Sequence, residues 1–276
     1  MRVRTIKAGI VHMILAVLGI VMIFPFFWMI SCAFRRPNEL LTSPPKLLPA
    51  NPTIDSFVHV LLETEVPRYF MNSVIIATTA TVLCIVVAIP AAYSFARHEY
   101  RGKNLVMIGI LLCNMIPQVS TLIPLYQALD KLGLIDSYMG IAFTHLLCML
   151  PFSVIMLRGF IRTIPKTLEE AAMIDGCTKL QVIFKIIVPV CSSGIFATAM
   201  YAFMISWEEF TYAMTFSTSS KARTISIGLK LFSTEFKVDW SSILAASTLM
   251  TLPILILFFL VQDTFIQGAT NGALKE

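Results

Sequence analysis

Charge is what this sequence has least of. Asp, Glu, Lys and Arg make up 13% of its 276 residues, while 57% are hydrophobic. Soluble domains carry about 25% charged residues. A soluble chain of this length has too much surface to cover with so few. The class is an integral membrane protein, so the apolar runs are measured against the bilayer, at roughly 20 residues per spanning helix. A mean hydropathy of +0.80 agrees. The net charge of +5 is no footprint for nucleic acid, and no nucleic-acid partner is expected. Where the basic residues lie relative to the apolar runs matters more than their sum.

Metal, redox and catalytic patterns are missing as well. The six cysteines are Cys32, Cys84, Cys113, Cys148, Cys177 and Cys191, and no two form a CxxC pair. They read as small apolar side chains, not as a disulfide framework. The four histidines make no HExxH pattern and the 15 methionines form no regular ligand cluster, so no metal site is expected. There is no GxxxxGK[ST] loop and no triad pattern. No catalytic residue is assigned, and any ATP used with this chain must be hydrolysed by another subunit. The first apolar run ends in aromatics and then Ser31-Cys32-Ala33-Phe34, with no small-x-small cleavage site, so it reads as a retained helix.

What is present is six apolar runs, at about 8–30, 69–96, 104–124, 137–157, 189–210 and 241–261, followed by a polar tail, 262–276. The connection 35–68 carries six prolines and cannot be one helix; a short helix is expected around 54–62. Arg2, Arg4 and Lys7 hold the N-terminus in the cytoplasm under the positive-inside rule. Arg35 and Arg36 are exceptions, on the outer side. On this topology the inner segments hold 12 of the 21 basic residues but only six of the 16 acids. The expected fold is all-α: a single transmembrane domain over 1–276, six transmembrane helices, N and C termini cytoplasmic.

One polar island, 158–188, interrupts the pattern between spans four and five. Pro165 suits a first helical turn, and Thr167-Leu168-Glu169-Glu170 fits a capping box. Leu168, Ala171 and Ala172 share one small apolar face. Gly176 is free to take positive φ and end that helix. Thr178-Lys179-Leu180-Gln181 is a second capping box. Leu180, Ile183, Phe184, Ile187 and Val188 then recur with helical period, and Pro189 turns the chain into span five. Shape alone leaves two readings: a connector lying on the membrane surface, or a docking element whose small face admits another backbone.

The order Glu170-Ala171-Ala172, three residues, Gly176, nine residues, Ile186, one residue, Val188-Pro189 resembles the signature loop of permease subunits in ATP-binding-cassette importers. Val188 stands where Leu is commoner. Pro25 with 31–40, Asn72-Ser73, Ala92 to Arg97, Ile123 to Tyr126, Leu132-Gly133-Leu134, Leu150-Pro151-Phe152, Arg158, Ile164-Pro165, and Gln262 and Phe265 through Gly272 and Ala273 extend the likeness over nearly the whole chain. They are similar to the maltose-type carbohydrate permeases, the binding-protein-dependent inner-membrane components. The resemblance implies a multi-pass protein of the bacterial cytoplasmic membrane. Its partners would be a second homologous permease, two ATP-binding subunits that use ATP and Mg, and an extracytoplasmic solute-binding protein. It makes the island a cytoplasmic coupling helix, with Glu170, Ala171, Ala172, Asp175, Gly176, Ile186 and Pro189 at the ATPase interface.

Polar residues near the spans have two readings each. Asn72, Asn114 and Gln118 either line a sugar path or bridge helices, at about 0.6 kcal/mol each. His145 reads as a helix-packing group. Glu208 and Glu209, after Trp207, either belong to the path or face water at a helix end; in the resembling family Asn is common at the place of Glu208. A secondary transporter or channel is the rival function. It would carry ionisable groups mid-span, and the mid-span regions here are nearly free of charge. An intramembrane enzyme would need a catalytic pair that the sequence lacks.

Overall fold

The computed structural model describes residues 2–233 and 238–273, and the side chains of 9, 11–233 and 238–259. The side chains of Arg2, Arg4, Lys7, Gln262, Asp263 and Phe265, and the whole of Lys275 and Glu276, lie outside the described residues. Part of the charge balance and of the resemblance rested on them.

The helices, in chain order, are α1 (Arg2–Ala33), α2 (Pro37–Leu40), α3 (Asp55–Leu62), α4 (Val66–Arg97), α5 (Lys103–Cys113), α6 (Gln118–Lys131) and α7 (Tyr138–Thr163). There follow α8 (Lys166–Ile174), α9 (Lys179–Val182), a π-helical turn (Ile183–Ile187), α10 (Val188–Val190), α11 (Ser192–Glu208), α12 (Thr211–Phe216), α13 (Ile225–Leu231) and α14 (Trp240–Ala273). Among the described residues the one extended pairing is a bridge between Ser233 and Val238.

Among the described residues four helices are long and apolar enough to cross a membrane: Val11–Ala33, α4, α7 and Trp240–Phe259. Two further candidates are bent pairs. α5 and α6 meet at 96°, and Lys179–Val190 meets α11 at 82°. The span expected over 104–124 is therefore two helices that meet at a break. Pro117 explains the break, because it has no N–H to donate and disfavours helical φ/ψ at Ile116. The expected start of span five at Pro189 moves to Ser192. Pro189 lies inside helix, just after the wide π turn, where its ring meets less crowding from the preceding carbonyls. α14 continues helically from the sixth apolar run through the polar tail to Ala273. That stretch contains no proline, and its isolated glycines cost only about 1 kcal/mol each.

The chain forms two compact units, Met1–Pro67 with Leu229–Leu252, and Arg68–Gly228 with Pro253–Glu276. In the first, Arg35 is buried. It donates to Lys46 O and lies 4.9 Å over the Trp28 ring. Ser31 Oγ donates to Leu47 O at 2.7 Å. Arg35 thus has a local structural task, tying the end of α1 to the segment that follows it.

In the second unit a stripe of small residues runs down α4. Ala77, Ala80, Cys84, Ala88 and Ala92 are all fully buried. In lipid, close backbone approach replaces the hydrophobic drive between helices, so small residues mark the contact. The stripe feeds two clusters. One gathers Ile76 with Ala142, Met149, Ala202 and Phe216. The other gathers Tyr93 with Leu157, Ile161, Ala172, Val182 and Ile187. Gly194 on α11 is obligatory for its contact, because a Cβ there would lie 2.4 Å from the Phe160 ring. All six cysteines are free thiols.

Candidate functional site

The island folds as helix, glycine turn, helix. α8 ends in a complete Schellman motif, with Cys177 N donating to Ala172 O at 3.0 Å and Gly176 N to Met173 O at 3.1 Å. Gly176 takes φ +89°, as its place in the sequence requires. The Thr178 capping box forms in both directions, with Gln181 Oε1 accepting from Thr178 N at 2.8 Å. The Thr167 box does not form. Pro165 occupies the N-cap position, and the helix start has no side-chain cap.

Glu169, which that box would have left near the surface, instead turns inward. It is 5% exposed. Arg97 Nε donates to Oε1, and Tyr93 Oη donates to Oε2 at 2.8 Å. Arg97 Nη2 also donates to Ile164 O at 2.7 Å, just before α8. Two residues one turn apart at the end of α4 thus clamp both the start and the body of α8. The sequence reading missed this pairing. The signal available was the i, i+4 spacing of Tyr93 and Arg97 on a helix end. Nearby, Lys103 Nζ lies 2.8 Å from Glu99 Oε1. That hydrogen bond, and then the lysine charge, hold the Glu99 carboxyl below the usual carboxylate range.

With Glu169 and Ala172 buried, the opposite side of the island is exposed. Glu170, Ala171, Asp175, Gly176 and Pro189 are on the surface, and Ile186 is half-buried. The expected joint face of Leu168, Ala171 and Ala172 is divided: Ala172 faces the unit, whereas Leu168 and Ala171 are exposed. After Gly176 the burial also differs from the expected apolar stripe. Val182, Ile183 and Ile187 are buried, while Leu180 and Phe184 stand exposed at 67% and 62%. Ile174 is 86% exposed. The result is an apolar surface around a small-residue floor, held rigidly from behind.

The polar residues near the spans separate into two groups. Asn72 is 2% exposed and fully engaged. Its amide donates to Arg223 O at 2.8 Å and Lys221 O at 3.0 Å, and its oxygen accepts from Tyr138 Oη at 2.7 Å. It fixes the loop 217–224, which Asp136 also grips by accepting from Ser219 N at 3.1 Å. Glu209 is likewise buried. Its carboxylate accepts from Tyr212 N at 2.8 Å and Ala213 N at 3.0 Å, capping α12, and lies 3.2 Å from His145 Nε2. His145 Nδ1 is 2.7 Å from Ser206 Oγ, so the histidine bridges α7 and α11. Glu208 is exposed.

Asn114 and Gln118 come together instead. They line a cavity of about 360 Å³ at the α5–α6 break, with Cys113, Ile116, Thr121, Leu147, Cys148 and Tyr212. Gln118 Nε2 donates to Cys148 Sγ at 3.1 Å, and the hydroxyls of Thr121 and Tyr212 are 2.7 Å apart.

A family model described as binding-protein-dependent transport system inner membrane component matches residues 85–271. The trehalose/maltose transport system permease protein MalG of Thermococcus litoralis is 34% identical over 278 residues, covering 100% of this chain and 99% of its own. The diacetylchitobiose uptake system permease protein DasC of Streptomyces coelicolor is 31% identical, covering 94% of each chain. In fold, the chain is similar to a solved bacterial ABC transporter involved in import of the acidic polysaccharide alginate. That match has a TM-score of 0.80 at 19% identity, and covers 95% of this chain and 98% of the other.

Proposed function

This chain belongs to the binding-protein-dependent transport system inner membrane components, and from that premise we propose that it is the permease subunit of an ATP-driven sugar importer. It is a multi-pass inner-membrane protein. Each bent pair contributes one span, α5–α6 as a broken helix and α11 as the fifth span after the surface-lying island, giving six, with both termini cytoplasmic. The chain pairs with a second permease and two ATPase subunits, which bind the ATP and Mg²⁺. A soluble binding protein delivers the sugar, and the loop 217–224 that Asn72 and Asp136 immobilise is the surface offered to it.

The observation that carries the reading is the exposed surface of α8 and α9 backed by a buried clamp. An ATPase subunit docking there pushes on a body that cannot give locally. The push passes through Glu169 and Arg97 into α4, and through Ile164 and Ala172 towards α7. The α4 residues Ala88 and Ala92 pack in one cluster with Leu157 and Ile161 of α7, so the two helices move as packed units and not as flexible side chains. The rival, a transporter driven by an ion gradient, is disfavoured by where the buried ionisable groups stand. Glu169 and Arg97 lie at helix ends and hold each other, Glu209 is consumed by a cap, and His145, buried within α7, is tied to Glu209 and Ser206 as a helix bridge.

Reconstitution in proteoliposomes with the candidate partner subunits tests the reading. Sugar uptake is expected only with ATP, the ATPase subunits and the binding protein together. Uptake by the permease pair alone, driven by an ion gradient, would replace this reading with the rival.

A further inference from the structure

We infer that the cavity at the α5–α6 break is a subsite for an uncharged saccharide, an assignment that rests on the importer reading and narrows its substrate class. The break places Asn114 and Gln118 on the surface at the depth of an apolar helix pair. Neither the Asn114 side-chain amide nor the Gln118 side-chain oxygen Oε1 makes a hydrogen bond with the described residues. Facing hydrocarbon, such groups are left unsatisfied, and irregular backbone at that depth persists only against protein or a wet cavity. The wall they form is therefore turned to a partner subunit or to the path, and its donor set favours the path.

The donor set fits hydroxyl groups. Two carboxamides each offer a donor and an acceptor. The Thr121 hydroxyl donates to the Gln118 backbone carbonyl at 2.7 Å and accepts from Tyr212 Oη, so these two hydroxyls add acceptors for a sugar O–H. Among the described residues the Gln118 amide is held only by the Cys148 thiol, a weak acceptor, so a sugar hydroxyl competes well for it. The volume of about 360 Å³ lies within the range of small-ligand sites, about 300–1,000 Å³. None of the lining residues carries a charge. Glu209, the acid behind Tyr212, has both oxygens taken by backbone N–H groups. A uronate or sulfonate would bring an anion to a wall with no cation for it, in surroundings where an unpaired charge is costly. A neutral sugar needs no such partner.

The test uses the complete importer in proteoliposomes, with neutral disaccharides (maltose, trehalose, cellobiose) set against a glucuronate-containing disaccharide. A neutral sugar is expected to be taken up in preference to the uronate. Gln118→Leu and Asn114→Leu are expected to raise the KM for it tenfold or more, while Gln118→Asn stays within about threefold. Gln118→Arg is expected to shift preference towards the uronate. Wild-type preference for the uronate, or an unchanged KM in both leucine variants, overturns the subsite and leaves the importer reading standing. Uptake that needs no ATPase subunit overturns the importer reading itself.

Discussion

Glu169 and Arg97 form a buried pair, at 7% and 8% side-chain exposure. Removing one member of such a pair strands the other charge and costs about 3–5 kcal/mol, whereas replacing both with apolar groups of similar volume is often neutral. Glu169→Ala is therefore expected to lower the melting temperature of the purified protein sharply, and Glu169→Leu with Arg97→Met to recover most of the loss. If the clamp transmits motion as well as stability, the double variant recovers its melting temperature but not ATP-coupled uptake. Full uptake by the double variant would reduce the clamp to a stability element. Gly176 poses a separable question. No atom lies within 4 Å of a Cβ built there, so a side chain meets only the strain of positive φ, roughly 1–2 kcal/mol. Gly176→Leu is expected to insert and fold but to hydrolyse ATP without transport, because its side chain occupies the docking face. Gly176→Asn, a residue that tolerates this φ, is expected to keep coupling better; equal uptake by both variants and wild type would remove the turn from the interface.

At the scale of elements, the α5–α6 break is the feature with the most specific cause. Pro117→Ala restores an N–H and frees Ile116 for helical φ/ψ, so the pair is expected to straighten from its 96° bend. Spin labels at Val106 and Ile123, both exposed, are expected to move apart in double electron–electron resonance. An unchanged distance would assign the bend to packing and not to the proline. The positions of the apolar helices, the Gly176 turn and the Thr178 box were legible in the sequence, because each depends on local patterns: hydrophobic run length, a residue free to take positive φ, and a side chain three residues from its partner. The bend in span three was written in the same residues, yet hydropathy averages over it. The inward turn of Glu169 was not legible, because Glu169 and Glu170 are equivalent to local capping rules and only packing against α4 separates them. Nor was the role of Asn72, whose partners are backbone carbonyls about 150 residues on, a distance no local pattern encodes.

For the whole molecule, the parts divide by task. The α8–α9 surface faces outward from a rigid clamp, the cavity at the α5–α6 break offers neutral hydrogen bonds, and the immobilised loop 217–224 presents a fixed shape. Only the first belongs to every importer permease of this reading, so it carries the central claim that the island receives the ATPase. Ile174 and Leu180 are at 86% and 67% exposure, and charges there leave the packed side of the island untouched. The most direct test is to pull down the ATPase subunit with Ile174→Glu/Leu180→Glu. The account expects a variant that inserts and melts like wild type, retains the second permease, and loses the ATPase subunit together with ATP-driven uptake. Wild-type recovery of the ATPase with undiminished uptake would contradict it.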